Sequence, residues 1–194
     1  RMRNLPLIYD SDDFLLCNGG FIYGTGRAFG IEAMLQYQTE RLSLTASYTY
    51  TDSRRRSDGV TYPFEYDVPH DFNAFVSYDV VKRPGRKHTF SLNVAWRSGL
   101  PYRLTNESYP DTDGNPIIGI TAYPTMRMHN YFRADVSYNM ERRKRNGVRN
   151  WQFSIINATW HKNPVSIYPY RGSYKATVLI PIMPSVSYTR TFGK

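Results

Sequence analysis

Period-two alternation sustained over long stretches is the feature that most limits what this chain can fold into. From Ser173 to Phe192 the apolar residues Tyr174, Ala176, Val178, Ile180 and Ile182, then Val186, Tyr188 and Phe192, fall at every second position. Lys175, Thr177, Ser185, Ser187, Thr189 and Thr191 stand between them, with Leu179, Pro181 and Met183 in the middle. A period of two puts the apolar set on one face of a strand. Ordinary strands run about 5–6 residues, and this pattern predicts one roughly three times as long. Such a strand, closing on an aromatic, suits a wall tilted across a membrane.

Six earlier segments repeat the pattern. Phe29, Ile31, Ala33, Leu35 and Tyr37 oppose Gly30, Glu32, Gln36 and Gln38. Leu42, Leu44, Ala46, Tyr48 and Tyr50 oppose a row of Ser and Thr. Three further segments set Phe72 to Val80, Phe90 to Trp96, and Phe132 to Met140 against polar neighbours. A sixth, Trp151 to Trp160, slips its period at Ile155-Ile156, which predicts a bulge. The last strand makes seven.

Their connections alternate in length. Links at 38–41, 82–87 and 142–149 are short and carry turn formers such as Pro84-Gly85 and Asn146-Gly147. Those at 52–69, 99–126 and 162–172 are long. Short turns at one end and long loops at the other mark an outer-membrane barrel. The expected fold is therefore all-β: an antiparallel transmembrane β-barrel segment of about seven long strands. Residues 1–26 read mostly as loop and 27–192 as the strands, all within one domain. Eight strands would leave an interior only just wide enough for side chains, and the three long loops suggest more room. The expectation is a piece of a larger barrel.

Composition excludes other classes. No run of 18 apolar residues offers a transmembrane helix, and Arg1-Met2-Arg3-Asn4 is followed by no apolar core of a signal peptide. One cysteine, Cys17, rules out an internal disulfide framework. Four and five of the 25 basic residues sit in the links 82–87 and 142–149. They lie in turns rather than interleaved with exposed aromatics, which argues against nucleic acid as a partner. Gly24, Gly26 and Gly30 precede a strand rather than open a helix, so they make no dinucleotide fingerprint. In Asp111-Thr-Asp113-Gly114-Asn115 the glycine falls too early for a calcium loop. His70, His88, His129 and His161 lack ligand spacing. No catalytic residue, metal or cofactor is expected.

Several stretches carry a resemblance: Arg27-Ala-Phe-Gly-Ile-Glu-Ala33, Ser47-Tyr-Thr-Tyr-Thr-Asp-Ser53, Asp67-Val-Pro-His-Asp-Phe-Asn73 and Trp96-Arg-Ser-Gly-Leu-Pro-Tyr102. Tyr131-Phe-Arg-Ala-Asp-Val-Ser-Tyr138, Asn157 with Asn163-Pro164, and Pro184-Ser-Val-Ser-Tyr-Thr-Arg-Thr-Phe192 continue it. In this order they resemble the C-terminal barrel portion of TonB-dependent outer-membrane receptors of Bacteroidetes type. The resemblance implies a 22-stranded barrel plugged by an N-terminal domain, located in the outer membrane of a Gram-negative bacterium and importing scarce nutrients. The implied partners are outer-membrane lipid, the rest of the barrel and its plug, the TonB complex through the N-terminal part, and a surface lipoprotein lid. Two alternatives stand beside it: a small closed barrel with a structural or adhesion role, and a barrel-embedded hydrolase. Glu32, Asp79, Arg97, Arg133 and Asp135 are candidates for the lumen or substrate path. Tyr102, Tyr109, Tyr123, Tyr168 and Tyr170 are candidates for extracellular loops that stack on a glycan or peptide.

Overall fold

The computed structural model describes residues 2–7, 22–57, 59–103, 105–110, 116–120, 124, 126–170 and 173–192. Seven long strands build one antiparallel sheet: β2 (Ile22–Gln38), β3 (Leu42–Ser57), β5 (His70–Arg83), β6 (Arg86–Arg97), β11 (Tyr131–Lys144), β12 (Gly147–Ile156) and β15 (Met183–Phe192). The short β1 (Met2–Leu7) extends this sheet beside β2, and β4 (Val60–Pro63) folds back on β3. Three two-stranded ribbons lie in the long connections. They are β7 (Pro101–Tyr102) with β10 (Met126–Arg127), β8 (Thr105–Pro110) with β9 (Pro116–Ile120), and β13 (Pro164–Tyr170) with β14 (Ser173–Val178).

Sequential strands are neighbours throughout the sheet, in the order β1-β2-β3-β5-β6-β11-β12-β15. The sheet is open: β15 pairs with β12 alone and β1 with β2 alone among the described residues. The turns that join the hairpins have local causes. Pro84 fixes φ near −65° and Gly85 takes φ +70°, the combination a type II turn requires. At the β2–β3 turn the Leu42 amide donates to Thr39 Oγ1 at 3.0 Å.

Several expectations need correction. The final alternating stretch is two strands: β14 pairs with β13, and β15 alone joins the sheet. Pro181, which has no N–H to donate, lies in the break, and Pro184 sits near the start of an edge strand, where a proline is tolerated. Val178 and Ile180 therefore lie off the main sheet. The sixth strand ends at Ile156, and the predicted bulge at Ile155-Ile156 is absent. Pairing with β11 stays regular to Ile155, and Asn157 then turns the chain at φ 53°. Among the seven long strands the register shifts instead between Asp79 and Val81 in β5. The 52–69 link is partly strand, because β3 continues to Ser57 and pairs with β4. Strand β2 starts at Ile22, ahead of the legible alternation.

Register sorts the side chains into two faces. Ala46, Ala74, Val94 and Ala134 stand in one row, and Leu44, Val76, Leu92, Val136 and Ile155 in the next. Aromatic rows bracket these two: Tyr48, Phe72, Trp96 and Phe132 toward the long connections, and Tyr78, Phe90, Tyr138 and Phe153 toward the turns. The turn-side aromatic edge drifts across the sheet. It begins at Tyr37, opposite Leu44, and ends two rows nearer the turns, at Trp151 and Tyr188. Trp151 packs on Tyr188 with ring centroids 4.6 Å apart. This face has no protein layer over it: apart from Gly99, Pro101 and Pro124 in the long connection, Tyr62 and Ala134 are the only buried apolar residues among those described. Ile31, Leu35, Trp151, Val186 and Tyr188 are all exposed.

Candidate functional site

On the opposite face, Ser, Thr, Asn and charged residues form equally continuous rows. Glu32, Thr49, Asp71, Arg97 and Tyr131 share one row; Ser47, Asn73, Ala95 and Arg133 share the next. Asn93 stands beside Asp135, and Thr89 beside Asp79 and Asn139. The five lumen candidates read from the sequence (Glu32, Asp79, Arg97, Arg133 and Asp135) thus all lie on one face. They do not form a single cluster.

Arg97 and Arg133 come together with Asp71, Asn73, Asn93 and Tyr131 around an open cavity of about 310 Å³. Asp71 accepts from Asn73 Nδ2 at 2.5 Å. The Arg97 guanidinium lies 4.6 Å from the centre of the Tyr131 ring and has no carboxylate within ion-pair distance among the described residues. Arg133 donates from Nε and Nη2 to Asp135 Oδ2 at 2.9 and 2.7 Å. Asp135 Oδ1 in turn accepts the Asn157 amide at 2.8 Å. Arg97 is therefore the cation left to meet a polar or anionic ligand, with Tyr131 as its platform. Asp79 sits apart near the turns, held by Thr89 Oγ1 at 2.8 Å and Lys87 Nζ at 3.2 Å. Glu32 lies on β2, away from the cavity.

At the long-connection end a second layer of polar contacts holds the loops, and the sequence reading missed it. Asp67, almost wholly buried, accepts the Ser53 amide at 2.8 Å and pairs with Arg127. Arg127 Nη1 also donates to the carbonyls of Asp67 and Gly99, at 3.0 and 3.2 Å. Position 99 must be glycine, because a Cβ there would lie 1.7 Å from the Met128 carbonyl oxygen. Where β12 leaves β11, Asn163 takes over as a substitute strand. Its Oδ1 accepts the Phe132 amide and its Nδ2 donates to the Phe132 carbonyl, both at 2.9 Å. The Ala158 amide donates to Ala134 O at 2.7 Å beside it. Asp67, Asn157 and Asn163 all fall within the stretches that carry the family resemblance, which was the available signal.

Of the loop tyrosines, Tyr102 donates its hydroxyl to the Ile167 carbonyl, fastening β7 to the β13–β14 ribbon. Burial, with Tyr174 nearby adding to it, pushes that hydroxyl above the usual tyrosine range. Tyr102 is thus a packing residue, whereas Tyr168 is exposed. Tyr109, Tyr123 and Tyr170 lie outside the residues whose side chains are described. Among the described residues no three His, Cys, Asp or Glu side chains could hold a metal ion.

Comparison with family models, with curated proteins and with solved structures gave no match. The class that fold and site define is an open antiparallel β-sheet with one apolar and one polar face.

Proposed function

We propose that this chain is part of the wall and outer loops of a TonB-dependent nutrient transporter in the outer membrane of a Gram-negative bacterium. The observation that carries the membrane part is the uncovered apolar face. Rows of Ala, Val and Leu span the sheet between two aromatic rows, and of these only Ala134 is buried. Trp96 lies six residue steps from Phe90, and Phe132 six from Tyr138. That is roughly 20 Å of strand at ~3.4 Å per residue, comparable with the apolar band of about 25 Å that barrels show to lipid. The drift of the aromatic edge is what tilted strands need to keep their aromatics at one depth.

Two open edges cannot remain in lipid, where unpaired backbone groups find no partners. Strand β15 and the β1–β2 edge therefore pair with strands beyond the sheet described here, and the polar face lines a lumen. In that setting the Arg97–Tyr131 cavity lies on the substrate path. The transporter reading itself rests on the ordered resemblance, together with long ribbons at one end and short turns at the other. Nitroxide labels on Val94→Cys and Asn93→Cys test the wall in the reconstituted receptor. The first should be relaxed by oxygen and the second by a water-soluble nickel chelate, and equal accessibility would overturn the assignment. Uptake that stops when the TonB complex is removed tests the transport reading. Persistence of uptake would count against it.

A further inference from the structure

Near the turns, the cross-strand register places five arginines in a single row. Arg83 stands opposite Arg86, Arg86 opposite Arg142, Arg142 opposite Arg149, and Arg149 opposite Arg190. Counting by twos from Val81, His88, Met140, Trp151 and Tyr188 puts all five on the apolar face, just beyond its last aromatic residues. All five are exposed. With strands ~4.8 Å apart, the row is roughly 20 Å wide.

Like charges directly opposite one another destabilise a sheet, and a guanidinium cannot relieve this by losing its proton. None of the five has a carboxylate partner among the described residues. Arg86 Nε reaches only His88 Nε2, at 3.0 Å, and Arg190 lies over the Phe192 ring at 4.5 Å. The nearby acids are spent on the other face, where Glu141 lies 3.9 Å from Arg143 and Asp79 pairs with Lys87. The long-connection rim differs. There Arg27 and Arg54, also on the outward face, share Asp52 at 3.5 and 2.7 Å.

We propose that this row is a belt that binds the phosphates of anionic phospholipids in the leaflet at the turn end of the wall. The inference rests on the membrane reading above. Its position fixes the ligand class: the row continues a lipid-facing surface, directly past the Trp151–Tyr188 pair that marks the headgroup level. Planar guanidinium groups match phosphate oxygens two at a time. The lipid supplies the counter-charge that the protein withholds.

The intact receptor, reconstituted in phosphatidylcholine vesicles containing spin-labelled phosphatidylglycerol or spin-labelled phosphatidylcholine, provides the test. The anionic lipid should associate with the protein about fivefold more strongly, the ratio that one arginine near an anionic surface supplies. This preference should shrink as salt is raised. Arg142→Gln combined with Arg149→Gln should lower it, and Gln at all five positions should bring it close to one. Lys87→Gln combined with Arg143→Gln, on the opposite face, should leave it intact. A wild-type protein that inserts without preference, or equal loss in both double variants, overturns the belt alone. Failure to float with the vesicles overturns the belt and the membrane reading together.

Discussion

The two faces of this sheet are made by the same strands, one residue out of step. Ala46, Ala74, Val94 and Ala134 stand side by side on one of them. Ser47, Asn73, Ala95 and Arg133, each the next residue along or back, stand side by side on the other. On the polar face, side chains find partners within the sheet: Arg133 with Asp135, Asn73 with Asp71, Asp79 with Thr89. On the apolar face, outside a few aromatic and histidine contacts and the ion pairs of Arg27 and Arg54 with Asp52 at the rim, side chains are left to whatever covers the sheet. A soluble sandwich would supply a second sheet for that purpose. On the membrane reading proposed above, the difference between the faces is that of two solvents.

The largest effect should come from placing a charge in the apolar rows. If that face meets lipid as proposed, Val94→Arg, near the middle of β6, should cost about 2–4 kcal/mol of stability, read from the urea midpoint of the protein refolded in liposomes. A cost near zero would mean that the face meets water.

The end of β11 sharpens the comparison, because its backbone depends on a side chain rather than a strand. Asn163→Ala leaves the Phe132 amide and carbonyl without their partners, at about 1–3 kcal/mol. Hydrogen exchange at Phe132 should speed up while exchange at Tyr138 stays slow. Unchanged protection at Phe132 would show that another group pairs with it.

On the polar face, Arg133→Gln should cost about 0–1 kcal/mol, since the pair with Asp135 is partly exposed and screened. Arg97→Gln should be similarly mild for stability, yet, on the proposed transport function, should weaken substrate uptake, measured as a raised KM. Loss of folding instead would assign Arg97 to the wall's structure. The smallest effect belongs to Asn93→Arg, expected within about 0.5 kcal/mol. Set against Val94→Arg one residue away, it is the direct test of which face is wet.

Much of the sheet was legible because the side-chain period of a strand is two and needs no distant information. Leu44, Val76, Leu92, Val94 and Val136 could be assigned to one face before any pairing was known. Turns at Pro84-Gly85 and Asn146-Gly147 followed from the dihedral limits of proline and glycine. The final stretch misled for the same reason. Alternation through Val178 and Ile180 looks identical whether a segment joins the main sheet or a ribbon above it, and only the partner strand tells the two apart.

Residue spacing along the chain determined which side chains share a face, and it could do so alone because that choice is set by local backbone geometry. Register between strands was a tertiary decision. It made five separate arginines one row, set Arg97 against Tyr131, and let Asn163 stand in for a strand beside Phe132. Those contacts join residues far apart in sequence. Their energies depend on distances that no local pattern encodes.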